Sequence, residues 1–128
     1  MLKKENRLKN KYAFNATYRL KNFHYKDGIV LNVGKKNNTD APVKIGFVVS
    51  KKTHKRAIKR NRIKRLMRES VRLILKGEHN LNNYRSLIFS AQTKALGKTF
   101  DEVDLIIKSL LSEIEKWLLT IKCHQIWE

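Results

Sequence analysis

The stretch Lys51 to Arg72, KKTHKRAIKRNRIKRLMRESVR, constrains this chain more than any other. On a helix of about 100° per residue it separates into two faces. Ile63, Leu66, Met67, Ser70, Val71 and Ile74 recur at helical spacing and form a stripe that must pack on something. Asn61, Arg65, Arg68 and Arg72 recur on the opposite side, with Lys64 beside them and Arg60 and Arg62 on the flanks. The spacing predicts a docked helix over about Arg56 to Lys76, closed by Gly77, with an outward row of cations. Like charges one turn apart cost each other a few tenths of a kcal/mol. A solvated face normally mixes both signs, yet Lys51 to Arg68 contains no acid and Glu69 is the first one met. Arginine clustered in this way suits planar, bidentate contact with phosphate, so the expected partner is a polyanion.

The rest of the composition agrees. The formal net charge of +18 exceeds what solubility requires and implies fast, salt-sensitive association with nucleic acid. With 128 residues, 41% of them hydrophobic, the chain suits one domain over 1–128, with residues 1–10 read as a flexible basic arm. The single cysteine, Cys123, has no partner and points to a reducing compartment. No apolar run approaches the roughly 18 residues of a membrane span, and no secretory h-region follows the basic start. These features predict a cytoplasmic protein.

Along the chain, a short helix is predicted from Lys11 to Leu20, with Phe14 and Tyr18 as i, i+4 neighbours. The pair is either part of the core or the lining of a groove for unpaired bases. Asp27-Gly28 supplies a turn, and Ile29–Val33 reads as a strand. Val43–Ser50, VKIGFVVS, reads as the next; its apolar Phe47–Val49 places it inside the sheet, and Gly46 marks a bulge or a close backbone approach. After the basic helix, Tyr84–Ala91 is a further strand. Thr99 and Glu102 stand at capping-box spacing before a long helix with a broad apolar stripe running from Val103 to Ile121. This order gives an α+β domain with one sheet, in which the unit Val43–Ala91 joins two parallel strands. General rules make that crossover right-handed.

No catalytic constellation emerges. His24, His54, His79 and His124 lack partners at ligand spacing, the acids form no cluster, and there is no phosphate-binding glycine loop or nucleophile elbow. The polypeptide alone is expected to catalyse nothing and to bind no cofactor. Readings open to such a polyanion-binding domain include a structural RNA-binding protein, which gives Phe14 and Tyr18 no work outside the core, and a DNA-binding regulator, which would want a dimer. A membrane-surface helix is disfavoured because the apolar face of the basic helix is needed for the core.

The segment KRNRIKRLMRE, Lys59 to Glu69, resembles the RNR motif of the protein subunit of bacterial ribonuclease P. The resemblance extends to RLKNKYAF with Tyr18, to VKIGFVVSKK, to YRSLIFSA and to the apolar C-terminal helix. It implies an α-β sandwich of αβββαβα order, a four-stranded mixed sheet and a left-handed crossover at the basic helix, against the general rule. It also implies a protein cofactor that, with a catalytic RNA, removes the 5′ leader of precursor tRNA. RNA binding then maps to Lys51, Lys52, Lys55, Arg56, Arg60, Asn61, Arg62, Lys64, Arg65 and Arg68, and a leader-binding cleft to Phe14 and Tyr18. Mg²⁺ would be held mainly by the RNA, and no membrane or small-molecule partner is implied. The chain departs from the family's pattern in lacking a glycine in THKRAIK, in Ala13 where an acid is common, and in Gln92 where a cation is common.

Overall fold

The computed structural model describes residues 6–35, 42–50, 55–76 and 84–127, with side chains described as far as Ile114. The elements are α1 (Lys11–Arg19), β1 (Phe23–Lys26), β2 (Ile29–Val33), β3 (Lys44–Val48), α2 (Ala57–Lys76), β4 (Ser86–Ala91) and α3 (Phe100–Trp127), with a 3₁₀ turn at Thr93–Ala95. The four strands form one mixed sheet in the order β1-β2-β4-β3. The β1–β2 and β2–β4 pairs are antiparallel, and β3–β4 is parallel, joined through α2 as expected.

Two strand expectations need correction. β1, FHYK, was not read as a strand from the residues; it folds back on β2 through Asp27-Gly28, whose φ values of 46° and 94° suit a tight two-residue hairpin turn. β3 lies at one edge of the sheet rather than inside it. Its apolar centre reflects at least partial burial of both faces, Ile45 and Phe47 on the core side and Gly46 and half-buried Val48 on the other, and its open edge is partly met by the N-terminal segment. Leu8 N–H donates to Ile45 O at 3.0 Å, and Asn6 Nδ2 donates to Val43 O at 2.9 Å. The expected arm is thus attached along β3 from Asn6 onward, with Leu8 buried; residues 1–5 lie outside the described residues.

Residues opposite one another across a ladder share a face. The register therefore puts Ile29, Leu31, Val33, Ile45, Phe47, Leu87 and Phe89 on one face, where they form the core with α2 and α3. Phe47 and Phe89 stack there with ring centroids 5.8 Å apart, worth about 1 kcal/mol beyond their buried area. α2 buries Ile63, Met67, Ser70, Val71 and Ile74, the stripe its periodicity predicts. Full burial of each large aliphatic contributes about 1.5–3 kcal/mol. Ser70 belongs to that stripe because its hydroxyl donates to Asp104 Oδ1 on α3 at 2.6 Å. α3 opens on the expected capping box, Glu102 N–H donating to Thr99 Oγ1 at 3.4 Å while Glu102 Oε1 accepts from Thr99.

The second sheet face carries Val30, Asn32, Gly46, Val48, Ser86, Ile88 and Ser90. α1 crosses only part of it, which leaves the remainder open.

Candidate nucleic-acid interface

α1 is started by Asn10, whose side chain accepts from Tyr12 N–H at 2.9 Å. It is fixed to the sheet at two points. The Phe14 ring lies over Gly46, so close that a Cβ there would come within 2.6 Å of Phe14 Cζ. This is the close approach that Gly46 signals in the sequence. Thr17 Oγ1 donates to Ala13 O at 2.8 Å, which leaves the Ser86 hydroxyl to donate to Thr17 Oγ1 at 2.5 Å. Phe14 is therefore half-buried against the sheet, whereas Tyr18 is exposed.

Sequence reasoning found only part of this aromatic surface. Phe23 and Tyr25 on β1 pair with Asn32 and Val30, which puts their rings on the same open face as α1, and they are 61% and 51% exposed. The signal was present: rings at i and i+2 just before Asp-Gly mirror across the turn onto β2. Tyr12 on α1 is also exposed.

The cations of α2 divide into groups that a helical wheel does not separate. Lys55 and Arg56, just before α2, are exposed, as are Asn61 and Arg65; Lys64 and Arg68 are half-buried. Lys64, Arg65 and Arg68 have no ion-pair partner among the described residues. Arg60 is half-buried, with its Nε shielded from water and unpartnered among the described residues. Arg62 is turned along the molecule, donating to Leu96 O at 3.1 Å and Lys98 O at 3.2 Å, and so ties α2 to the loop that opens α3. Arg72, at the end of the outward row, is held by Glu69 in a two-pronged pair whose Nε–Oε2 distance is 3.1 Å. The hydrogen bond from Arg72 lowers the Glu69 carboxyl below its ordinary range and raises the guanidinium in turn. Lys51 and Lys52 lie outside the described residues.

Among the described residues no three His, Cys, Asp or Glu side chains converge as metal ligands, and no helix is long and apolar enough to cross a membrane. What the geometry offers is a row of cations on one helix and a strip of rings on a half-open sheet. Such a surface can hold a phosphate backbone and stack bases.

The fold that carries these residues is found in known proteins. The structure of the Staphylococcus aureus RNase P protein superposes with a TM-score of 0.72 at 25% identity, covering 87% of this chain and 96% of that one. That of Thermotoga maritima superposes with a TM-score of 0.69 at 22% identity over 84% of this chain and 96% of that one. Together they define the class, an α+β sandwich of the RNase P protein fold. The Ribonuclease P family model matches residues 2–115, and the ribonuclease P protein component of Clostridium novyi is 33% identical over 110 residues, 86% of this chain and 94% of that one. The chain belongs to the ribonuclease P protein family.

Proposed function

We propose that this chain is the protein cofactor of a ribonuclease P ribonucleoprotein, binding the catalytic RNA through α2 and the single-stranded 5′ leader of precursor tRNA across the open sheet face. The observation that carries the reading is the pairing of two unlike surfaces in one small domain. Lys64, Arg65 and Arg68, without an ion-pair partner among the described residues, suit a folded polyanion, and the exposed Tyr18 beside half-buried Phe14 suits unpaired bases. A purely structural RNA binder has use for the first and none for the second. Hydrolysis is assigned to Mg²⁺ held mainly by the RNA, the protein's part being to hold leader and RNA together and to reduce their mutual repulsion. The protein acts in the cytoplasm, where precursor tRNA is made.

The test is cleavage of a precursor tRNA at low Mg²⁺ by the ribonuclease P RNA of the same organism, with and without the protein. Strong stimulation by a protein that is inert alone is the expected result. Tight RNA binding without stimulation would favour a structural RNA-binding role instead.

A further inference from the structure

The sheet ends in two edges, and the chain treats them differently. Along β3 the N-terminal segment supplies partners, through Leu8 N–H on Ile45 O and the Asn6 amide on Val43 O. Along β1, among the described residues, no segment pairs with the outer edge. The two-residue turn makes Lys26 and Ile29 a hydrogen-bonded pair, and the alternation of an antiparallel ladder makes His24 and Leu31 the next one. Asn22 O accepts from Val33 N–H at 2.9 Å in the same phase. The backbone N–H and C=O groups of Phe23 and Tyr25 therefore point outward, without a backbone partner among the described residues.

Beside this edge a groove of about 580 Å³ runs between β1 and α3, lined by Tyr25, Lys26, Leu105, Lys108, Ser112 and Glu113. Leu105 is 66% exposed there, whereas Val103, Ile106, Ile107 and Leu110 of the same helix are buried. The charges of the groove are mixed. Lys108 is held by Asp104 at 2.8 Å, Glu113 stands 3.9 Å from His24 Nδ1, and Lys26 has no ion-pair partner among the described residues. A wall of both signs with an exposed aliphatic suits a peptide better than a phosphate backbone. Helix α2 packs over β3 and β4 and α3 over β1 and β2, so this edge lies on the side of the sheet away from the cation row.

We propose that the outer edge of β1 and the groove beside it take an extended, acidic peptide segment of a partner protein, which adds one more strand to the four-stranded sheet. Main-chain bonds to Phe23 and Tyr25 hold the segment, and its alternate side chains fall to opposite faces. Those on one face pack beside the Phe23 and Tyr25 rings. Those on the other enter the groove, where an aliphatic side chain meets Leu105 and a carboxylate meets Lys26. The net charge of +18 favours an acidic segment during approach.

The experiment pans a displayed library of random short peptides against the full-length protein in the presence of saturating ribonuclease P RNA of the same organism, which occupies the cations of α2. Enriched peptides are synthesised and their affinities measured by fluorescence anisotropy. They should be rich in acidic and aliphatic residues, and their binding should protect the Phe23 and Tyr25 amides from hydrogen exchange. Leu105→Ser should weaken them on the order of tenfold, and Lys26→Glu should weaken them and reduce the salt dependence. N-methylation of alternate peptide amides should abolish binding in one phase and be tolerated in the other. Both substitutions fall at exposed positions and should leave cleavage of precursor tRNA unchanged, which establishes that folding and assembly are retained. Failure to enrich any peptide, or peptides that bind both variants as tightly as wild type, would overturn the proposal. Tolerance of N-methylation in both phases would overturn the added strand. Protection of the same amides by RNA alone would assign the edge to RNA and overturn it equally. Self-association of the free protein that Leu105→Ser abolishes would overturn it in favour of a second copy.

Discussion

The ring of Phe14 rests directly on the backbone of Gly46: a Cβ on Gly46 would sit 2.6 Å from Phe14 Cζ and 2.8 Å from Cε1. The absence of a side chain at Gly46 thus sets how deeply α1 settles on the sheet and where the half-buried Phe14 ring stands.

Gly46→Ala should separate stability from function. Overpacking in a closed core costs about 1–3 kcal/mol, but here the clash is with the far end of a ring that is not enclosed. The ring can give way, so the loss should fall near the lower end of that range in urea unfolding. The displaced ring should nevertheless weaken binding of leader-bearing substrate while binding of the catalytic RNA is kept. Equal losses for both RNAs would place Phe14 outside the leader cleft.

Arg62 and Arg65 should respond differently to the same truncation. Arg65→Ala removes an exposed cation with no partner among the described residues, so it should lower the slope of log K against log salt by roughly 1 and leave unfolding unchanged. Arg62→Ala removes donors to Leu96 O and Lys98 O. It should cost about 1 kcal/mol of stability in solvent-exposed surroundings and change the salt slope less. An Arg62 variant of normal stability with a reduced slope would reverse its assignment.

The contrast between these two arginines shows where the sequence stops informing. The stripe from Ile63 to Ile74 was readable because a helix imposes its period on whatever it buries, and the Thr99–Glu102 cap because its spacing is local. The reach of Arg62 to a loop more than thirty residues on is tertiary and leaves no local pattern. β1 is faint for a different reason: Phe23 and Tyr25 alternate with His24 and Lys26, but four residues are too short for the alternation to stand out, and the hairpin turn and the pairing with β2 make them a strand. The apolar run Phe47–Val49 suggests a central strand, yet an edge strand with both faces partly covered carries the same run. Of the exposed and half-buried rings, Phe14 and Tyr18 pair by helical spacing, whereas Phe23 and Tyr25 share a face only through the register.

The Asp104 carboxylate should make stability depend on pH in the acid range. Burial alone would raise it, but hydrogen bonds from Lys108 and Ser70, with the charge of Lys108, outweigh burial and hold it below its ordinary value of 3.8. A carboxylate lowered on folding contributes stability that is fully present above its unfolded value and is lost as pH falls through the folded one. The stability difference between wild type and Asp104→Asn in urea should therefore be constant near neutrality and shrink below the ordinary carboxylate range. A difference that grew on acidification would contradict the sign.

Glu69 is expected to limit RNA binding rather than support it. Its carboxylate takes both prongs of Arg72 and is lowered by that hydrogen bond, so at neutral pH it stays ionised and the pair is neutral. Arg72 lies one turn beyond Arg68 on the cation row of α2. An exposed pair of this kind adds little to stability. Glu69→Gln should consequently unfold almost as wild type does. With Arg72 released, one more phosphate can be neutralised, and the magnitude of the salt slope should rise by roughly 0.7 to 0.9. Affinity for the catalytic RNA should rise with it at low salt, and the gain should fade as salt is added. Glu69→Gln combined with Arg72→Gln should return the slope to the wild-type value, because the double variant presents the same set of unpaired cations. An unchanged slope in the single variant would mean that Arg72 lies outside the RNA footprint, which would then end at Arg68.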